Sequence, residues 1–129
     1  LSEFVNRKPD KDILLSVIVR KSKRQFRYES IRQTKTDFPV IACSVVTGIV
    51  HGKETWYFSV GARPMKAALV EKQWEIPHDA SDEVIAGYAR QAAAEFAYGT
   101  NMRGSAEYRQ HLAEVLIRRE MASILAEGR

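Results

Sequence analysis

The spacing of apolar and polar positions changes period along the chain, from short β-branched runs in the first half to helical repeats in the second. Asp12-Ile13-Leu14-Leu15-Ser16-Val17-Ile18-Val19-Arg20 lies between Pro9-Asp10 and a basic turn, and predicts a strand buried on at least one face. Residues 40–50 predict a second strand, with Pro39 at its start, where a missing N–H does least harm to a ladder. His51-Gly52-Lys53-Glu54 predicts a turn. Residues 55–60 then return with Trp56, Phe58 and Val60 on one face, so the two runs make a hairpin.

Gly61-Ala62-Arg63-Pro64 ends the strand, and Pro64 suits the first turn of a helix reaching Val70 or Gln73, closed off by Pro77. Asp79 and Ser81 compete as N-cap of the next helix, whose dipole Asp82 and Glu83 complement. Ile85, Tyr88, Ala89, Ala92 and Phe96 repeat at helical spacing until Gly99. Ser105 caps a last helix with one stripe at Tyr108, Leu112, Val115 and Leu116 and another at Ile117, Met121, Ile124 and Leu125. Two stripes exceed what one small sheet covers, so one of them is expected to meet a surface outside this chain. Strands followed by helices, without βαβ alternation, predict an α+β two-layer sandwich: a small antiparallel sheet of three or four strands with three helices on one face.

The length of 129 residues and a 45% hydrophobic content suit one globular domain, with residues 1–11 as a linker. The start at Leu1 is taken as the mark of a piece of a longer polypeptide. The opening residues lack the order of a signal peptide, and no apolar run approaches the ~20 residues that span a bilayer. A cytoplasmic protein without a membrane partner is expected. The single cysteine, Cys43, permits no internal disulfide and no thiolate iron cluster; amid Ile41, Ala42, Val45 and Val46 it reads as a buried, inert thiol.

Charge adds one feature. Twenty Lys and Arg against sixteen Asp and Glu give +4, and the excess is concentrated between Arg20 and Lys35, where Arg20, Lys21, Lys23, Arg24, Arg27, Arg32 and Lys35 face only Glu29. With Phe26 and Tyr28 this stretch has the makings of a phosphate-and-base surface for RNA. It equally suits a solvated edge strand that deters aggregation, or an interface with an anionic cofactor. The sequence shows no known nucleic-acid-binding module, and no nucleic-acid partner is expected.

Chemistry-bearing motifs are sparse. His51, His78 and His111 are scattered without partners at metal-ligand spacing, and no metal site is expected. The run 99–105 has phosphate-loop glycine spacing but no lysine, and it joins two helices. GxGxxG, GxSxG and HExxH are absent, and Asp82-Glu83 is explained by its place at a helix start. No catalytic residue is assigned.

Four segments, in order, carry a resemblance. They are the run from Leu1-Ser2-Glu3-Phe4 through Ile13 to Val19, the basic stretch Ile31-Arg32-Gln33-Thr34-Lys35-Thr36-Asp37-Phe38-Pro39, the strand end Val60-Gly61-Ala62-Arg63-Pro64, and Met102-Arg103-Gly104-Ser105-Ala106-Glu107-Tyr108-Arg109 followed by Leu112, Val115, Leu116, Arg118 and Arg119. Together they resemble the C-terminal domain of the FAD-binding (medium) subunit of molybdenum hydroxylases, the xanthine dehydrogenase and carbon monoxide dehydrogenase flavoprotein family.

That resemblance implies a non-catalytic domain that docks on a separate FAD-binding domain and meets molybdopterin-binding and iron–sulfur subunits. In such enzymes electrons pass from the molybdenum cofactor through iron–sulfur clusters to FAD and on to an acceptor. FAD would be held mainly by the other domain, with none bound to this chain alone. Leu14 matches a flavin-touching strand residue, whereas a flavin-proximal lysine of the family falls at Glu29 or Ser30 and is missing. Arg32 and Lys35 are the nearest cations able to replace it, toward FAD or a neighbouring subunit. The alternatives are a free-standing protein-interaction domain and a basic RNA-binding module.

Overall fold

The computed structural model describes residues 13–19 and 21–127. Four strands form an antiparallel meander in the order β1 (Gln25–Ile31), β2 (Ile41–Val50), β3 (Lys53–Gly61) and β4 (Ala68–Lys72). Two helices follow, α1 (Asp82–Ala94) and α2 (Ala106–Glu127). This is the expected α+β sandwich, with four strands and, among the described residues, two helices instead of three.

The hairpin forms as predicted, but its turn is tighter than residues 51–54. Val50 pairs with Lys53, leaving His51 (φ 50°) and Gly52 (φ 78°) as a two-residue loop. Two successive positive φ values give the turn whose twist matches that of the flanking strands. Within the hairpin, alternation selects the covered face: Ile41, Cys43 and Val45 of β2 and Trp56, Phe58 and Val60 of β3 are buried.

Two predicted elements are corrected. The run 12–20 forms no strand: residues 13–19 lack regular structure and are exposed, while Asp12 and Arg20 lie outside the described residues. The first strand is instead Gln25–Ile31, in the middle of the basic stretch. From Gln25 to Glu29 its residues alternate between half-buried and exposed, as an edge strand covered on one side requires, whereas the run 13–19, apolar except for Ser16, demands cover on both faces. The helix from Pro64 to Val70 or Gln73 is likewise replaced by β4, because Ala68, Val70 and Lys72 turn inward while Leu69 and Glu71 turn out. That period of two lets the segment pair with β3, with Phe58 opposite Val70.

Ser81 wins over Asp79 as the cap of α1, its hydroxyl accepting the Val84 amide at 3.4 Å. Ser105 likewise accepts the Tyr108 amide at 3.1 Å at the start of α2. α1 contributes Ile85, Ala89, Ala92 and Ala93 to the core, and an aromatic chain of Phe58, Trp74 and Tyr88 joins it to the sheet, with ring centroids 5.6 and 4.8 Å apart. α2 packs on α1 and lies across β2 and β1.

The buried side of α2 corrects another expectation. Ile117, Met121, Ile124 and Leu125 are all buried, so that stripe meets the sheet and α1 and is not left for an outside surface. The inward line runs Arg109, Ala113, Leu116 and Ile117, Glu120 and Met121, then Ile124 and Leu125; Tyr108, Leu112 and Val115 flank it. One broad face replaces two stripes, and two of its positions are charged.

Candidate functional site

Three loops meet at one end of the sheet: 32–40 between β1 and β2, 62–67 between β3 and β4, and 97–105 between the helices. The first and third are anchored by Arg109, 1% exposed. From the first turn of α2 its Nε donates to the Val40 carbonyl at 2.9 Å and its Nη1 to the Gly99 carbonyl at 2.8 Å. The guanidinium also donates to the Gly104 carbonyl and to Asn101 Oδ1. A planar fork of donors can hold several loop acceptors at once, as a lysine cannot.

Arg63 ties the middle loop to the third. It donates to the Ala97 carbonyl at 2.6 Å, while its own carbonyl accepts the Gly99 amide at 2.7 Å. These bonds hold Ala62 beside it at φ 56°, a left-handed conformation that an alanine does not adopt unaided. Arg103 reaches from the third loop to the first, 3.4 Å from Asp37 and 5.6 Å over the Phe38 ring. Arg32, Lys35, Arg63, Lys66 and Arg103 lie in these loops against the single carboxylate Asp37, an excess equal to the net charge of the whole chain. Phe38, Met65 and Met102 stand exposed among them, Met102 at 94%.

The sheet face away from the helices is left open by the described residues. Register lines up Phe26, Val46, Tyr57 and Glu71 in one row and Tyr28, Ser44, Ser59 and Leu69 in the next. Phe26, Tyr28 and Leu69 are 57, 56 and 62% exposed, and Arg24 lies 5.1 Å over the Tyr57 ring.

Of the residues singled out from the sequence, Arg32 and Lys35 share the first loop, where Arg32 Nη1 donates to the Asp37 carbonyl at 2.8 Å and Lys35 is exposed. Leu14 belongs to none of the four strands and lies in the exposed run 13–19. The basic stretch is not one continuous strip. Arg24 turns to the open face, Arg27 to α2, where it bonds Ser123 Oγ at 2.9 Å, and Arg32 and Lys35 to the loop end. His51, His78 and His111 are exposed, and the described residues contain no group of three or more His, Cys, Asp or Glu arranged for a metal. Burial, reinforced by the nearby Glu120 and Glu29 charges, pushes the Cys43 thiol far above its ordinary range. No described helix is long and apolar enough to cross a membrane.

Arg109 and Glu120 were not singled out for any role. Arg109 stands four residues after the capping Ser105, and that spacing turns it inward with Ala113. Glu120, 3% exposed, sits on the same inward line, and among the described residues neither of its carboxylate oxygens has a partner within hydrogen-bond geometry. Burial pushes its carboxyl up to about 7; the neighbouring Glu29 amide opposes this and the Glu29 charge adds to it.

Residues 26–124 match the family described as the CO dehydrogenase flavoprotein C-terminal domain. Among curated proteins nothing matches. Three solved structures share the fold. Quinoline 2-oxidoreductase from Pseudomonas putida 86 is 15% identical with a TM-score of 0.61, over 81% of this chain and 38% of that one. A Cu,Mo-CO dehydrogenase in its cyanide-inactivated form is 22% identical with a TM-score of 0.59, over 84 and 39%. Carbon monoxide dehydrogenase from Hydrogenophaga pseudoflava, lacking the Mo-pyranopterin moiety, is 18% identical with a TM-score of 0.62, over 85 and 39%. The chain thus spans less than two fifths of each of those chains. With most of its length, including the whole sheet from Phe26 onward and all but the end of α2, inside the match, this chain belongs to the CO dehydrogenase flavoprotein C-terminal domain family.

Proposed function

We propose that this chain is the non-catalytic C-terminal domain of the FAD-binding subunit of a molybdopterin-dependent, xanthine dehydrogenase-like oxidoreductase in the cytoplasm. Its work there is to enclose one side of the flavin site and to dock the molybdopterin-binding and iron–sulfur partners. The observation that carries this reading is the pairing of an uncovered, aromatic-bearing sheet face with a cationic loop end, in a chain whose relatives are more than twice as long. Redox chemistry would reside in the bound cofactor, and such a domain supplies position, electrostatics and exclusion of water.

The residues present suit a wall better than a complete cofactor site. Arg32 and Lys35 offer donors to an anionic dinucleotide or to a neighbouring subunit, and Leu14 offers an apolar contact. The phosphate-cradling glycine loop that would hold a dinucleotide firmly has no counterpart in this sequence. The exposed apolar run at 13–19 fits a strand completed by the preceding domain of the same subunit, with residues 1–11 as the link.

The test compares two preparations. FAD added to the 129-residue chain alone should bind weakly or not at all, whereas the parent subunit should retain FAD and lose part of it when Arg32 and Lys35 are both changed to alanine. A tight, stoichiometric flavin complex of the chain alone would overturn the division of labour.

A further inference from the structure

We infer that the groove between β1 and α2 is a receptor for one cationic side chain, a guanidinium or ammonium, carried by a partner polypeptide. The groove has a volume of about 300 Å³ and is lined by Arg27, Tyr28, Glu29, Arg119, Glu120 and Ser123. The inference is independent of the flavin-wall reading.

The charges that line the groove pair off with one left over. Arg27 commits its donors to Ser123 Oγ at 2.9 Å and the Phe26 carbonyl at 2.7 Å, and it forms an ion pair with Glu127. Arg119 stands 3.7 Å from Glu29. Each guanidinium therefore already faces one carboxylate, and the group left over is Glu120, buried, with no ion pair and no well-formed hydrogen bond to either oxygen among the described residues. An ionised carboxylate without a partner is costly in such a place, and one further cation with donors to spare would complete the set.

A side chain suits the groove better than a bare ion. Glu120 is nearly inaccessible, so the cation must arrive stripped of much of its water. The methylene stem of an arginine or lysine can cover the Tyr28 ring while the head reaches inward. Burial without a partner pushes the Glu120 carboxyl up to about 7, so an arriving cation would displace a proton near neutrality. The groups facing Glu120 are Arg27 and Glu29 from β1, Cys43 from β2, and Arg119 and Ser123 from α2 itself.

The test is a titration of the 129-residue chain, carrying carbon-13 at the glutamate carboxyls, with Nα-acetyl-arginine amide. Saturable movement of the Glu120 resonance is expected, with its pH midpoint falling by about one pH unit or more at saturation. Nα-acetyl-glutamine amide should give no response, and guanidinium ion a response weaker by roughly tenfold. Glu120→Gln, shown to be folded by an unchanged circular dichroism spectrum, should weaken the arginine probe by roughly tenfold or more. No saturable response up to about 20 mM probe, or equal binding by Glu120→Gln, overturns the receptor. Guanidinium binding as well as the arginine probe overturns the polypeptide source.

Discussion

Glu120 also makes folding stability depend on pH in a way that one substitution isolates. In the folded chain its carboxyl is raised from 4.5 to about 7, chiefly by burial, so between those values the folded state holds a proton that the unfolded state has released. The stabilisation is fully present below about pH 4.5 and is lost as the pH rises through about 7. At ~1.4 kcal/mol per pH unit, the loss approaches about 3 kcal/mol by pH 8 to 9. Glu120→Gln keeps the shape and the neutral amide-like polarity but cannot ionise. Urea unfolding of both proteins from pH 5 to pH 9 should therefore show near-equal stability at the acid end and a variant more stable by roughly 2–3 kcal/mol at the alkaline end. The comparison cancels the exposed histidines, which both proteins share. Parallel curves, or a variant that is the weaker protein at pH 9, would refute the claim that this carboxyl is folded into place without a partner.

Arg109→Lys keeps the charge but loses the fork, leaving the buried Val40 carbonyl and at least one loop acceptor unmatched; a loss of about 3 kcal/mol is expected, with faster amide exchange in residues 97–105. Ile117→Ala, at the fully buried centre of α2, should cost about 3–4 kcal/mol in denaturant melts, whereas Leu112→Ala, packed only partly against the core, should fall near the ~2 kcal/mol end of the same scale. Arg32→Ala should leave the unfolding midpoint unchanged, because its one bond closes an exposed loop; a large shift would make that loop structural.

The strand–helix order was legible because the hairpin and both helix starts are written in local chemistry. His51-Gly52 supplies two residues that accept positive φ, and Ser81 and Ser105 each supply a side-chain acceptor one turn ahead of the amide they cap. The edge strands were not legible. β1 is polar or charged at four of its seven positions, and its strand character comes from the seven-residue register with β2, a long-range pairing that composition does not reveal. β4 follows a proline that suits a helix equally well, and what decides it is the exposed edge of β3, which needs a partner from Ala68 to Lys72. The run 13–19 misled for the opposite reason. It carries the strongest strand composition in the chain, yet the sheet has no second face covered by the described residues to offer it.

The same limit governs the sites. A hydrophobic stripe read from apolar residues alone leaves out its charged members, so Arg109 and Glu120 disappear from α2 and the inward face splits into two. Both are legible only after Ala113, Leu116 and Ile124 are seen to share their side of the helix. From that point their roles diverge by partner count. Arg109 bonds four acceptors from two segments of chain and fixes the loop end, whereas the Glu120 carboxylate makes no well-formed hydrogen bond among the described residues and leaves a charge to be met from outside. A buried cation that is fully bonded is architecture; a buried carboxylate that is not is the place where a second molecule has something to gain by binding.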